Sequence, residues 1–359
     1  MNDAILKHIL KHITMKANVS LGNGLFAGKS GQIIFLYHLS RATNDKQAEQ
    51  LADTLWDDMY ISLKSQNKLS APNFDNGLAG IGWSQEYLVE HKFCEGNTDY
   101  ILKDIDDAVF KVLNEAKDIP FYMYNGLIGY LIYEISRLKN PKHNNVTTRI
   151  NQELFIKILN KIDEIAPNEF AYMGKETIFD LFWTFSTLIS TMDKALELNI
   201  YSEKILVMID QWMYYLNTHL PGIHCHRLSL AISLHKINKK LERSDIDKLV
   251  QILLFSIDFD ILCKEIAPYY VFDIRHSWYG VVLLLHYAQK SFDADYSYYD
   301  MFEQLRLKII SLYKEKAENE IMSGFKTSFE KKRDVNLGLA NGLSGIGLVY
   351  LLYPESIKQ

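Results

Sequence analysis

A chain of 359 residues, 48% hydrophobic and 23% charged, has the composition of a soluble globular protein with length enough to bury a core. A formal charge of −5 with no basic block excludes an electrostatic grip on nucleic acid. Three scattered cysteines, Cys94, Cys225 and Cys263, are not the pattern of a disulfide-stapled secreted domain, and a reducing, cytoplasmic setting is expected.

The first predicted element is an amphipathic helix over Met1–Thr14. Ile5, Leu6, Ile9, Leu10 and Ile13 are interleaved there with Lys7, His8, Lys11 and His12, unlike the unbroken apolar stretch of a signal peptide. A glycine-bearing tetrapeptide then recurs ahead of an apolar run. Clear copies are Gly28-Lys-Ser-Gly31, Gly77-Leu-Ala-Gly80, Gly126-Leu-Ile-Gly129 and Gly342-Leu-Ser-Gly345. Weaker copies are Gly174-Lys-Glu-Thr177, Arg227-Leu-Ser-Leu230 and Ser277-Trp-Tyr-Gly280. The starts at 28, 77, 126, 174, 227, 277 and 342 fit a helical-repeat array with a period of roughly 50 residues. Runs such as Ile33–Tyr37 and Val281–Leu285 predict inner helices buried all round. The amphipathic segments Asp45–Ser65, Thr147–Ile165 and Tyr296–Lys316 predict outer ones.

Seven outer–inner pairs predict an all-α, α/α toroid in one domain over residues 1–359. Asn76, Asn125 and Asn341, just ahead of the glycines, are expected as side-chain N-caps, and glycine as a device for close backbone approach. The inner-helix N-termini would then share one mouth and favour an anion there. The stretch Ile178–Met192 holds Asp180 and is too short to cross a bilayer. No pair of carboxylates suggests a glycan-cleaving barrel.

The motifs Gly77-Leu-Ala-Gly-Ile-Gly82, Asn125-Gly-Leu-Ile-Gly129 and Asn341-Gly-Leu-Ser-Gly-Ile-Gly347 resemble the lanthionine synthetase C-like family. That resemblance implies a toroid with a central cavity. In active members it also implies a zinc ion held by Cys, Cys and His of the fifth and sixth repeats. Such members add a peptide cysteine thiol to a dehydrated Ser or Thr of a precursor peptide, with a dehydratase as a further partner. Zinc suits the task because it deprotonates a bound thiol whose free pKa is near about 8.5. A general acid then protonates the enolate formed by addition.

Carried over to this chain, the resemblance places Cys225 on the first cysteine ligand and His276 on the histidine ligand, with Arg275 replacing the second cysteine. His224 or His226 is an alternative third ligand, since zinc accepts a Cys/His/His set. His226 also falls on the family's tyrosine, as an acid or as cavity lining. Arg275 would hold an anion at the mouth, or pair with Asp273. The family's catalytic aspartate falls on or near Tyr122 and its fourth-repeat histidine near Met173. Two functions stay open at this point: a zinc-dependent thioether cyclase, and a catalytically silent relative that binds a peptide or partner.

Overall fold

The computed structural model describes residues 2–16, 22–65, 71–140, 144–266, 272–292, 298–323 and 336–352. All regular structure among them is helical. In chain order the elements are outer α1 (Asn2–Lys16), inner α2 (Lys29–Thr43), outer α3 (Lys46–Ser65), inner α4 (Leu78–Glu90), short α5 (Thr98–Ile101), outer α6 (Lys103–Glu115), inner α7 (Leu127–Lys139), outer α8 (Asn145–Phe170) and inner α9 (Thr184–Leu196). There follow outer α10 (Ser202–Thr218), inner α11 (His224–Leu241), outer α12 (Ser244–Phe255), short α13 (Phe259–Glu265), inner α14 (Trp278–Ser291), outer α15 (Tyr299–Met322) and inner α16 (Leu343–Leu352). Seven outer–inner helical hairpins are thus present among the described residues.

The contacts group into two compact units. Unit 1 combines Met1–Lys68 with Ile266–Gln359, and unit 2 is Leu69–Glu265. Within unit 2 the inner helices pack in succession, α4 on α7, α7 on α9 and α9 on α11. Within unit 1, α14 packs on α16, and α16 packs on α2 while α1 lies on α15 and α16. The last inner helix therefore meets the first.

The glycines are explained by one recurring cap. The first amide of each motif helix donates to a carbonyl six residues ahead of the N-cap: Lys29 N to Gly22 O, Leu78 N to Ala71 O, Leu127 N to Pro120 O and Leu343 N to Asn336 O. The N-caps Gly28, Gly77 and Gly126 are extended and bear no side-chain cap, so space and not backbone conformation demands glycine. A Cβ on Gly126 would stand 1.9 Å from Pro120 O, and one on Gly77 2.1 Å from Ala71 O. The asparagines expected as caps are displaced from that role because the loop's own carbonyls already serve these amides. The third glycine of the longer motif receives an aromatic ring from the next inner helix: Tyr133 at Gly82 in unit 2, Phe35 at Gly347 in unit 1.

Two helix starts differ from the sequence expectation. The fourth inner helix begins at Thr184, and Gly174 lies in the preceding loop with φ +93, where glycine relieves backbone strain. The fifth begins at His224, four residues after Leu220 and ahead of Arg227. In both, the local glycine signal is lost and other groups satisfy the helix start. No helix among the described residues is long and apolar enough to cross a membrane.

Candidate functional site

The residues singled out for chemistry lie in the loops ahead of the inner helices or in the first turn of α11. In unit 2, α11 lacks a glycine cap, and its first two amides are instead held by one distant carboxylate. His224 N donates to Glu265 Oε1 at 2.9 Å and Cys225 N to Glu265 Oε2 at 3.1 Å. Glu265, on α13, replaces the pair of loop carbonyls used elsewhere. An acidic group is well suited there because the helix N-terminus carries positive dipole charge.

That capping fixes Cys225 on the second residue of the helix. Its thiol is fully buried; burial first, then the charges of Glu265 and Cys263, push its pKa well up. By position in the hairpin, the counterparts of Arg275 and His276 in this repeat are Pro221 and Gly222, counted back from the N-caps Ile223 and Ser277.

The flanking histidines are also engaged. His224 Nδ1 accepts the Asp258 amide at 2.8 Å, and burial, then Arg227, lowers its pKa. His226 Nε2 accepts the Asp180 amide at 3.0 Å, and its ring lies flat on Trp183 at 4.6 Å. Burial outweighs the opposing charge of Asp180 and pulls its pKa down to about 3. With Nε2 accepting that amide, the uncharged ring carries its proton on Nδ1. The repeat geometry explains the bond. Elsewhere in unit 2 the amide three residues before an N-cap, Phe74 N, donates to the next loop's Tyr124 O. In the fourth loop the His226 ring receives the corresponding amide.

Around this ring lies a polar set that sequence reasoning missed. Tyr124 Oη donates to Asp180 Oδ2 at 2.5 Å, and Trp183 Nε1 donates to Glu176 Oε1 at 2.8 Å. Tyr122 is exposed, and Glu169, then burial and Glu176, raises its pKa. Met173 is buried in the loop between α8 and α9. The signal that would have found this set is the pair of half-conserved helix starts, where lost glycine implies a tertiary substitute.

His276 and Arg275 belong to unit 1, just ahead of Ser277, which caps α14 through its hydroxyl. The His276 amide donates to Asp273 Oδ1 at 2.8 Å, and its Nδ1 lies 3.4 Å from Asp273 Oδ2. Asp273 thus faces both the amide and the ring of His276. Among the described residues no group of three His, Cys, Asp or Glu side chains converges in a metal-binding arrangement.

The role of Glu265 yields a direct test. Glu265→Ala is expected to lower stability by about 2 kcal/mol, the scale of hydrogen bonds to a charged group, and to speed alkylation of Cys225 by iodoacetamide at pH 8. Thermal melts and timed mass spectra read both; an unchanged melting temperature with an unchanged alkylation rate would refute the cap.

Residues 19–178 match the family model for lanthionine synthetase C-like proteins. No curated protein sequence matches the chain. Among solved structures, nisin cyclase is similar over 98% of this chain and 94% of its own, at 16% identity and a TM-score of 0.47. Through residues 19–178, whose glycine-capped hairpins are those described above, the chain is similar to lanthionine synthetase C-like proteins.

Proposed function

We propose that this protein binds a precursor peptide within lanthipeptide-type peptide modification and does not itself close the thioether ring. The observation that carries this reading is the burial of Cys225 on the second residue of α11, with its amide tied at 3.1 Å to the carboxylate that caps the helix. Supporting it, Arg275 stands where the resemblance calls for a second thiolate, and a guanidinium cannot neutralise itself beside a metal dication. The setting is cytoplasmic, consistent with three free cysteines, and a dehydratase is the natural second partner because it makes the dehydrated peptide.

One observation favours the other reading. A carboxylate facing Nδ1 of a histidine is the arrangement that orients metal-binding imidazoles, and Asp273 faces His276 in this way. In that reading His276, Cys225 and His224 hold zinc, which supplies a thiolate nucleophile when bound.

The experiment uses purified full-length protein and a model peptide carrying dehydroalanine and cysteine. Zinc is measured by mass spectrometry, peptide binding by fluorescence anisotropy, and ring closure by loss of alkylatable thiol. The expected result is saturable peptide binding, less than about one-tenth of an equivalent of zinc, and thiol loss no faster than without protein. Stoichiometric zinc, with thiol loss abolished by Cys225→Ala and by His276→Ala, would establish the cyclase instead.

A further inference from the structure

The first outer helix carries two imidazoles that the loops described above do not use. On α1, His8 and His12 stand four residues apart, the spacing that brings side chains to one face of a helix with their Cβ atoms about 5–6 Å apart. The roll of that helix is set by its apolar side. Ile5, Ile9 and Ile13 are buried, and α1 packs on α15 and α16 within unit 1. Each histidine directly precedes one of these isoleucines, so both rings lie half-buried along the same flank of the buried stripe.

The two rings are also oriented alike. His8 Nδ1 lies 3.1 Å from the Ala4 carbonyl oxygen, and His12 Nδ1 lies 3.2 Å from the His8 carbonyl oxygen. A carbonyl oxygen only accepts, so Nδ1 carries the proton in each ring, and the lone pair of the neutral imidazole belongs to Nε2. A backbone carbonyl on Nδ1–H is the arrangement that fixes tautomer and ring direction in metal-binding histidines. Two imidazoles one helical turn apart therefore present the same nitrogen, each held by a rigid backbone group.

We infer that His8 and His12 form a two-point site for a divalent transition ion of the class of Ni²⁺, Zn²⁺ or Cu²⁺. The same four-residue spacing of histidines on a helix holds zinc in metalloproteases. Imidazole suits these ions, whereas Mg²⁺ and Ca²⁺ take oxygen ligands. Lys7 and Lys11, exposed on the same helix, oppose any cation held by charge alone, which leaves ions bound through the imidazole lone pairs. The rings lose little freedom on binding because the carbonyls already hold them. No third His, Cys, Asp or Glu joins the pair among the described residues, so water completes the coordination. The site uses none of His224, Cys225 or His276 and is independent of the ring-closure question.

The test is calorimetric titration of the full-length protein with nickel chloride near neutral pH. Wild type is compared with His8→Gln, His12→Gln and, as a control on the same helix, Lys11→Gln. The expected result is saturable nickel binding, weakened at least about tenfold in each histidine variant and no weaker in Lys11→Gln. A second measurement needs no change on α1. Diethyl pyrocarbonate labelling, read by mass spectrometry, is expected to show His8 and His12 protected together by nickel but not by magnesium, in wild type and in His276→Ala alike. No saturable binding by wild type, full affinity in either histidine variant, or labelling of the two rings unaffected by nickel would each overturn the assignment.

Discussion

Gly126→Ala is expected to destabilise the protein by about 3 kcal/mol or more, the upper range for overpacking a filled site. The added methyl would stand 1.9 Å from Pro120 O and 2.5 Å from Pro120 C. Neither is the far end of a flexible side chain, so the whole loop must retreat. That carbonyl also receives the Leu127 amide at 2.8 Å, so retreat breaks the cap as well as the packing. Gly22→Ala is the matched control, because nothing lies within 4 Å of its Cβ position. Urea unfolding monitored by circular dichroism compares them. A Gly126→Ala midpoint equal to that of Gly22→Ala would mean that the motif glycines are not there for space.

Arg137→Met should be comparably damaging, by roughly 3–5 kcal/mol, the cost of breaking a buried ion cluster by removing one partner. Arg137 is completely buried and joins three helices of unit 2. It contacts Glu86 on α4 through Nη1 and binds Asp106 on α6 through Nη2 at 2.6 Å and Nε at 3.0 Å. Asp106 also accepts the Tyr133 hydroxyl at 2.5 Å, and Asn140 donates to Glu86 at 3.0 Å. Glu134, buried beside them, is pushed well up by burial and by Asp106. Methionine would fill much of the volume and leave Glu86 and Asp106 without a cation.

The sign with pH follows. Carboxylates stranded in the folded state have raised pKa values there, so they bind protons that the unfolded chain has released. The deficit of Arg137→Met is therefore full near neutral pH and shrinks as pH falls toward the ordinary carboxylate range near about 4. Paired melts of both proteins at pH 7 and pH 5 measure it. A deficit that grows on acidification would rule out uncompensated carboxylates as its cause.

The hairpin plan was legible in the sequence because its rule is a backbone collision. Where a carbonyl occupies the space of a Cβ, only glycine serves, and Gly28, Gly77, Gly126 and Gly342 announce it without tertiary information. The fourth and fifth starts were misplaced because their caps come from elsewhere in the fold. Glu265 reaches α11 from another helix, and the ring of His226 takes the amide of Asp180. Neither leaves a mark beside the helix it serves. Arg137 left only a faint trace, a lone cation ending the apolar run Leu127–Ile135.

The packing of α16 on α2 and of α1 on α15 also sets an order of events during synthesis. Unit 1 is discontinuous, and the whole of Leu69–Glu265 leaves the ribosome between its two parts. Unit 2 has all its own helices by then and is free to condense first, as domains do during translation. The opening three helices meanwhile expose an apolar seam that stays uncovered until the final helix emerges.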